Sequence, residues 1–157
     1  MSAAATIVEV STQEQLESVG SLFRSYQEQL FSKCQLPDSE WQSLPGAYAA
    51  PDGGLLLAHV SAQPAGCVAL RAFPKQGTCE MKRLFVLPEY RGSGAGRALI
   101  ESVIQLACDR GYALMRLDTH AESMGAAVKL YREFGFRDVA ADLITPVEGL
   151  SYMELTL

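Results

Sequence analysis

The clearest chemical signal in the chain is the stretch Val86-Leu87-Pro88-Glu89-Tyr90-Arg91-Gly92-Ser93-Gly94-Ala95-Gly96-Arg97-Ala98. Three glycines alternating with small residues strip side chains from a turn, so successive backbone N–H groups can converge on one anion. The apolar periodicity that begins there predicts a helix over 94–110. Its unpaired first-turn N–H groups and the positive end of its dipole face the same point. Arg91 and Arg97 bracket the loop with full charges. Together these residue types describe a phosphate or diphosphate site. A Walker loop is excluded, because no Lys-Ser/Thr follows the glycines. A dinucleotide fingerprint needs G-x-G-x-x-G, whereas the spacing here is G-x-G-x-G, with Arg97 where a packing residue would stand. Asp118, at the end of the next predicted strand, is a partial match to a ribose-binding acid, so a dinucleotide-binding oxidoreductase stays open as a remote alternative that fits poorly with three antiparallel strands ahead of the motif.

Other reactive side chains point to less. Cys34, Cys67, Cys79 and Cys108 are scattered without a C-x-x-C pair, and the last three lie in apolar segments. They read as small buried hydrophobes in a reducing compartment, and the expected location is cytoplasmic. His59 and His120 are far apart and neither belongs to an H-x-x-x-H pattern, so no metal is expected. With 13 Lys+Arg against 18 Asp+Glu the formal net charge is −5. That argues against nucleic acid as a partner, because phosphate-backbone binding needs an excess of cations. A surplus of carboxylates is compatible with a cationic substrate, though it usually serves solubility. No apolar run approaches the roughly 20 residues of a membrane span, and no secretory signal is visible.

The elements that must carry the loop follow from hydrophobic periodicity. Residues 5–10 read as a strand. Ser11-Thr12-Gln13-Glu14 has the form of a capping box and opens a helix to about residue 31, with Leu16, Val19, Phe23, Tyr26 and Leu30 on one face. Residues 32–54 are punctuated by proline and glycine and read as a binding loop, with a short helix near 38–44. Two apolar runs, 55–60 and 65–73, joined by Ala62-Gln63-Pro64, predict an antiparallel hairpin. Residues 78–87 predict a further strand, 112–119 another, 124–134 a helix stopped by Gly135, and 136–139 and 151–157 the closing strands. Hairpins followed by a β-α-β crossover imply an α/β fold, with a mixed, mostly antiparallel sheet of six to seven strands and helices on both faces. At 157 residues the chain reads as one domain, 1–157.

Arg91, Gly94 and Gly96 meet the pattern [RQ]-x-x-G-x-[GA], after a strand ending at Val86 and before a helix. Ala127-Val128-Lys129-Leu130-Tyr131-Arg132-Glu133-Phe134-Gly135-Phe136 matches A-x-x-L-Y-x-x-x-G-F. On these two segments, which span about 78–139, the chain resembles the GCN5-related N-acetyltransferase (GNAT) family. The resemblance implies acetyl-CoA as co-substrate, its diphosphate on the backbone of Gly92, Ser93, Gly94, Ala95, Gly96 and Arg97 with Arg91 beside it. The pantetheine arm would run along Leu84, Phe85 and Val86 as an added strand. That requires the strand over 112–119 to splay away from its neighbour, so that the sheet opens at its two central strands. A backbone N–H near Leu84–Phe85 would stabilise the oxyanion. A homodimer is open to it, since family members often pair through late strands.

Acetyl transfer to an amine sets a protonation problem. An ammonium of pKa near 10.4 presented neutral at pH 7 costs about 4–5 kcal/mol, and a thiol of pKa about 8.5 leaves better when given a proton. The resemblance implies Tyr131 as the acid, although helical periodicity alone makes it a core aromatic beside Ala127, Leu130 and Phe134. Glu80 is the expected base: strand alternation places Glu80, Lys82, Leu84 and Val86 on one face, and histone-type members resemble this chain in having a glutamate there. Asp118 is its rival, and ordered water is the third alternative, since other members use an acid from that strand or only ordered water; Lys82 and Arg83 are given no role. Many members carry an Asn near the start of the Tyr131 helix, where this chain has Met124 after Glu122-Ser123. The acceptor is expected between the loop over 32–54 and the connection over 142–150, against Trp41, Tyr48, Asp38, Glu40, Asp142 and Glu148. The expected activity is direct transfer from acetyl-CoA to a small amine or peptide amine. The alternative on the same fold is a non-catalytic acyl-CoA-binding or sensory domain.

Overall fold

The computed structural model describes residues 4–30, 42–120, 125–140 and 150–157. Its strands are β1 (Thr6–Glu9), β2 (Gly54–Val60), β3 (Gln63–Ala72), β4 (Thr78–Val86), β5 (Leu114–His120), β6 (Arg137–Val139) and β7 (Leu150–Thr156). Its α-helices are α1 (Gln13–Leu30), α2 (Ala95–Asp109) and α3 (Gly125–Glu133). Alternation along β2, β3 and β4 turns every second side chain to one face of the sheet and the rest to the other. Leu56, Val68, Leu70 and Met81 pack beneath α2 with Leu99, Ile100 and Val103. Leu55, Leu57, Cys67 and Ala69 pack beneath α1 with Val19, Leu22 and Phe23. Each such fully buried aliphatic side chain contributes about 1.5–3 kcal/mol. Both faces are therefore covered, as expected.

The strands run β1-β2-β3-β4-β5-β7-β6 in one sheet, and every pairing is antiparallel except β4 with β5. That parallel ladder covers Thr78–Leu114, Cys79–Met115 and Glu80–Arg116, and goes no further. Beyond it β4 continues to Val86 and β5 to His120 without pairing to each other, which is the expected opening of the sheet.

Four local expectations are corrected. The α1 cap sits one residue later than Ser11: Gln15 N–H donates to Thr12 Oγ1 (3.1 Å), while Gln15 Oε1 accepts from Ser11 N–H (2.8 Å) and Thr12 N–H (3.1 Å). Thr12-Gln13-Glu14-Gln15 satisfies the same T-x-x-Q rule, and glutamine reaches back as glutamate would. The β2–β3 turn is Ser61-Ala62, both with positive φ (50° and 65°), a tight two-residue hairpin. Gln63 and Pro64 therefore belong to β3, and Pro64 is tolerated because it faces His59, where the ladder shifts register. Cys108 is exposed, not buried: one residue beyond Ala107 turns about 100° around α2, away from its apolar face.

The fourth correction bears on the site. Between Cys67–Phe85 and Ala69–Lys82, β3 advances two residues and β4 three, so β4 carries a bulge, and Arg83 there has φ +59°. The extra residue reverses the alternation. Lys82, partner of Ala69, faces α1 along with Glu80, whereas Leu84 and Val86 pack on the α2 side. Glu80, Lys82, Leu84 and Val86 therefore do not share a face.

Candidate active site

After β4, a single 3-10 turn (Pro88–Tyr90) leads into the glycine loop. Gly94 caps α2 in a left-handed conformation (φ +89°), which only glycine adopts at little cost, and its carbonyl accepts from Ala98 N–H at 3.0 Å. Ser93 Oγ accepts from Ala95 N–H at 3.3 Å, whereas the N–H groups of Gly96 and Arg97 are first-turn donors with no intrahelical acceptor. These donors open on a cleft of about 480 Å³ lined by Leu84, Phe85, Val86, Arg91, Gly92, Gly94, Ala95, Gly96 and Arg97, and closed on the far side by Ala126, Ala127 and Leu130 of α3. The structure thus brings together every residue expected for the coenzyme except Ser93, which is not among the lining residues. A Cβ added at Gly96 would stand 3.8 Å from both Leu130 Cδ2 and Val86 Cγ2, so Gly96 forms the floor between β4 and α3.

Both arginines are engaged. Arg91 Nε donates to Val86 O (3.1 Å) and Nη2 to Gln29 Oε1 (3.3 Å), which ties the loop to the end of α1. Arg97 pairs with Glu133 and lies over the Phe134 ring.

On the α1 face, charges alternate across four strands. Arg71, Glu80, Arg116 and Glu154 are successive neighbours in register. Arg71 Nε and Nη2 both reach Glu80 Oε1 (2.8 and 2.7 Å), and Arg116 Nε stands 3.6 Å from Glu154 Oε1. Glu80, the expected base, is buried and held by Arg71, a partner the sequence reading did not name. One row further toward the opening, Lys82 pairs with Asp118 at 3.3 Å, across the gap where β4 and β5 have parted.

Tyr131 is buried, with its ring centroid 5.7 Å from that of Phe136. Burial, with smaller contributions from Tyr26 and Asp118, pushes its phenol well above the usual tyrosine range. Tyr131 packs in the α2-side core and is not among the residues lining the coenzyme cleft, which α3 borders through Ala126, Ala127 and Leu130. Gly135 (φ +99°) ends α3, with Phe136 N–H donating back to Tyr131 O at 3.1 Å, which fixes the last turn carrying the phenol. Tyr26 was read from the sequence as an apolar-face residue only. Here it lies under the Arg83 guanidinium (5.4 Å) and hydrogen-bonds it, and burial raises its phenol too. The strand bulge that aims Arg83 at α1 has no short-range sequence signature, so neither residue could be placed in advance.

Tyr48, an expected wall residue, is buried edge-on to Phe23 in the core under α1. Trp41, Asp38, Glu40, Asp142, Glu148, Ser123 and Met124 lie outside the described residues. No group of three or more His, Cys, Asp or Glu that could hold a metal ion occurs among the described residues. Nor is any helix there long and apolar enough to cross a membrane.

Residues 16–136 match the model of the acetyltransferase (GNAT) family. An N-acetyltransferase of Schizosaccharomyces pombe is 38% identical over 121 residues, which cover 76% of this chain and 74% of that protein. Other curated relatives are matched over less of their own length, 26% for one from Dictyostelium discoideum and 40% for one from Methanocaldococcus jannaschii. Among solved structures, a GNAT-family acetyltransferase of Staphylococcus aureus superposes with a TM-score of 0.80 at 21% identity, covering 98% of this chain and 99% of that one. The PaiA N-acetyltransferase of Thermoplasma acidophilum, solved in complex with coenzyme A, gives 0.77 at 18% identity, covering 98% and 99%.

Proposed function

The chain belongs to the acetyltransferase (GNAT) family, and from that premise we propose that it transfers an acetyl group from acetyl-CoA to a primary amine by direct attack within a ternary complex. One observation carries the reading: a single cleft runs from the end of β4 that β5 leaves unpaired to the glycine loop, lined by Leu84–Val86 at one end and by Gly92 and Gly94–Arg97 at the other. Such a cleft suits a ligand with an extended amide-bearing arm and a diphosphate. The arm takes the backbone groups that β5 leaves free, and the diphosphate takes the donors of Gly96 and Arg97. Arg91 then exchanges Val86 O for a phosphate oxygen and releases that carbonyl to the arm.

The amine nitrogen attacks the thioester carbon, the C–S bond breaks, and the amine's proton passes to a carboxylate on the α1 face. Glu80 and Asp118 are the two candidates. Protonating Glu80 would dissolve its ion pair with Arg71, whereas Asp118 stands at the opening, beside Lys82. Backbone N–H groups near Leu84–Phe85 steady the oxyanion. Tyr131 hydrogen-bonds the departing sulfur. Its phenol is a weaker acid than a thiol by at least 1.5 pKa units, about 2 kcal/mol uphill for full transfer, so it donates only a hydrogen bond; the sulfur leaves as thiolate and takes up, at neutral pH, the proton that the carboxylate gives back.

Initial-rate kinetics with acetyl-CoA, a mixed amine panel and a thiol-release readout test this. Intersecting double-reciprocal lines are expected, with Asp118→Asn and Glu80→Gln identifying the base by which one abolishes turnover. Parallel lines would overturn direct transfer. Coenzyme binding without thiol release over the panel would assign the chain to acyl-CoA sensing instead.

A further inference from the structure

We propose that the acceptor amine carries an anionic group, a carboxylate or phosphate, bound by Arg71, Lys82 and Arg83; this rests on the acetyltransferase reading above. A second cavity, of about 370 Å³, lies on the α1 face of the sheet, bounded by the chain segment over 43–48 and by these three cations. Among the described residues lining it there is no carboxylate. With Glu80 and Asp118 counted, the three cations leave one positive charge in excess among the described residues, in a chain of net charge −5. Glu80 and Asp118 pair with Arg71 and Lys82 from outside the lining.

Arg71 and Lys82 keep donors for a second anion. Arg71 uses Nε and one Nη toward Glu80, out of five N–H donors, and Lys82 has three donors for its contacts with Asp118. Both are already partly withdrawn from water, with side chains 37% and 17% exposed, so an oxyanion there gains more than it would at an open surface. Arg83 is held against Tyr26 by ring contact and hydrogen bond, which fixes where its charge points.

Position makes this an acceptor site. The cavity lining ends at Lys82 and Arg83, and the coenzyme cleft begins at Leu84. The bulge at Arg83 is what turns consecutive residues of one strand toward two different chambers. An acceptor anchored by its anion in the first chamber presents its amine at the boundary, where the reactive end of an arm lying along Leu84–Val86 arrives.

Matched acceptors decide the matter. Amino acids are compared with their amides, and ethanolamine phosphate with ethanolamine, at saturating acetyl-CoA. In parallel, calorimetry follows binding of N-acetylamino acids and their amides to the protein with and without coenzyme A. Anionic members should exceed neutral ones by roughly tenfold or more in kcat/KM and in affinity, the usual scale of a charge-assisted contact. Arg83→Asn and Arg71→Gln should lower that ratio through KM for the anionic member, and Arg71→Lys should restore part of it. General damage would lower both members together. A higher value for the phosphate pair than for the carboxylate pairs identifies the anion as phosphate. Equal ratios, or preference for neutral or polycationic amines, overturn the proposal even if coenzyme A binds and turns over. Failure of coenzyme A to bind overturns the acetyltransferase reading instead, and the calorimetric pairs without coenzyme still report on the anion site.

Discussion

Gly94 and Gly96 are two residues apart and are required for different reasons. At Gly94 a Cβ would meet open space, but the backbone stands at φ +89°, so any side chain is strained. At Gly96 the backbone is ordinary helix, and a side chain would enter the cleft between Val86 and Leu130. Gly96→Phe should therefore abolish the coenzyme-induced rise in melting temperature while leaving the unliganded melting temperature unchanged or slightly higher, since glycine costs a helix about 1 kcal/mol relative to alanine. Gly94→Ala should do the reverse, losing roughly 1–2 kcal/mol of stability to the left-handed backbone while keeping most of the coenzyme response. Thermal shifts with and without coenzyme A separate the two. Tyr131→Phe probes the role proposed for the buried phenol of α3. On the proposed mechanism, turnover should fall roughly tenfold or more with KM for acetyl-CoA within about twofold, because the substitution would remove only a hydrogen bond to sulfur. Burial raises the phenol's pKa, so the hydroxyl keeps its proton at neutral pH and above. The wild-type rate profile should accordingly show no loss of activity from this group below about pH 10.

At the scale of elements, what could be read in advance was what local chemistry determines. The glycine loop, the apolar stripes of α1 and α2, and the glycine after Phe134 declare themselves in consecutive residues, and each lies where periodicity put it. What strand pairing decides could not be read. The bulge at Arg83 depends on how β4 registers against β3, and it overturned the shared face that alternation assigned to Glu80 and Val86. Arg71 reaches Glu80 only because β3 and β4 pair at that register, so the carboxylate's partner was hidden as well. The α1 cap was ambiguous locally, since Ser11–Glu14 and Thr12–Gln15 are overlapping boxes of equal form. Geometry favours the second, because the Thr12 hydroxyl and the Gln15 amide are the groups that bond. Thr12→Ala should cost about 1 kcal/mol in urea unfolding, the usual value of such a cap, and Ser11→Ala a few tenths at most. Equal losses would return the cap to Ser11.

For the whole molecule, the same burial that builds two cores sets an alkaline limit. Cys67 and Cys79 are fully buried in opposite faces of the sheet. Burial raises both thiols, Cys79 to about 12 and Cys67 further. In the unfolded chain these thiols ionise near pH 8.5–9, while the folded chain holds its protons. Over that window the native state binds more protons than the unfolded state, so stability falls as pH rises. Each thiol contributes a loss of about 1 kcal/mol between pH 9 and 10, or about 2 kcal/mol for the pair. Tyr26 and Tyr131, raised in the same direction, add to the slope above pH 10. The chemistry pulls the other way, since a larger fraction of the acceptor amine is neutral at higher pH. Activity should therefore climb with pH and then collapse where the fold fails, not where a catalytic group titrates. Urea unfolding at pH 7, 8, 9 and 10 should show a flat free energy followed by that decline, and a Cys67→Ala/Cys79→Ala variant, less stable at pH 7, should show a shallower one. A free energy of unfolding constant to pH 10 would mean that neither thiol is shielded as the two cores require.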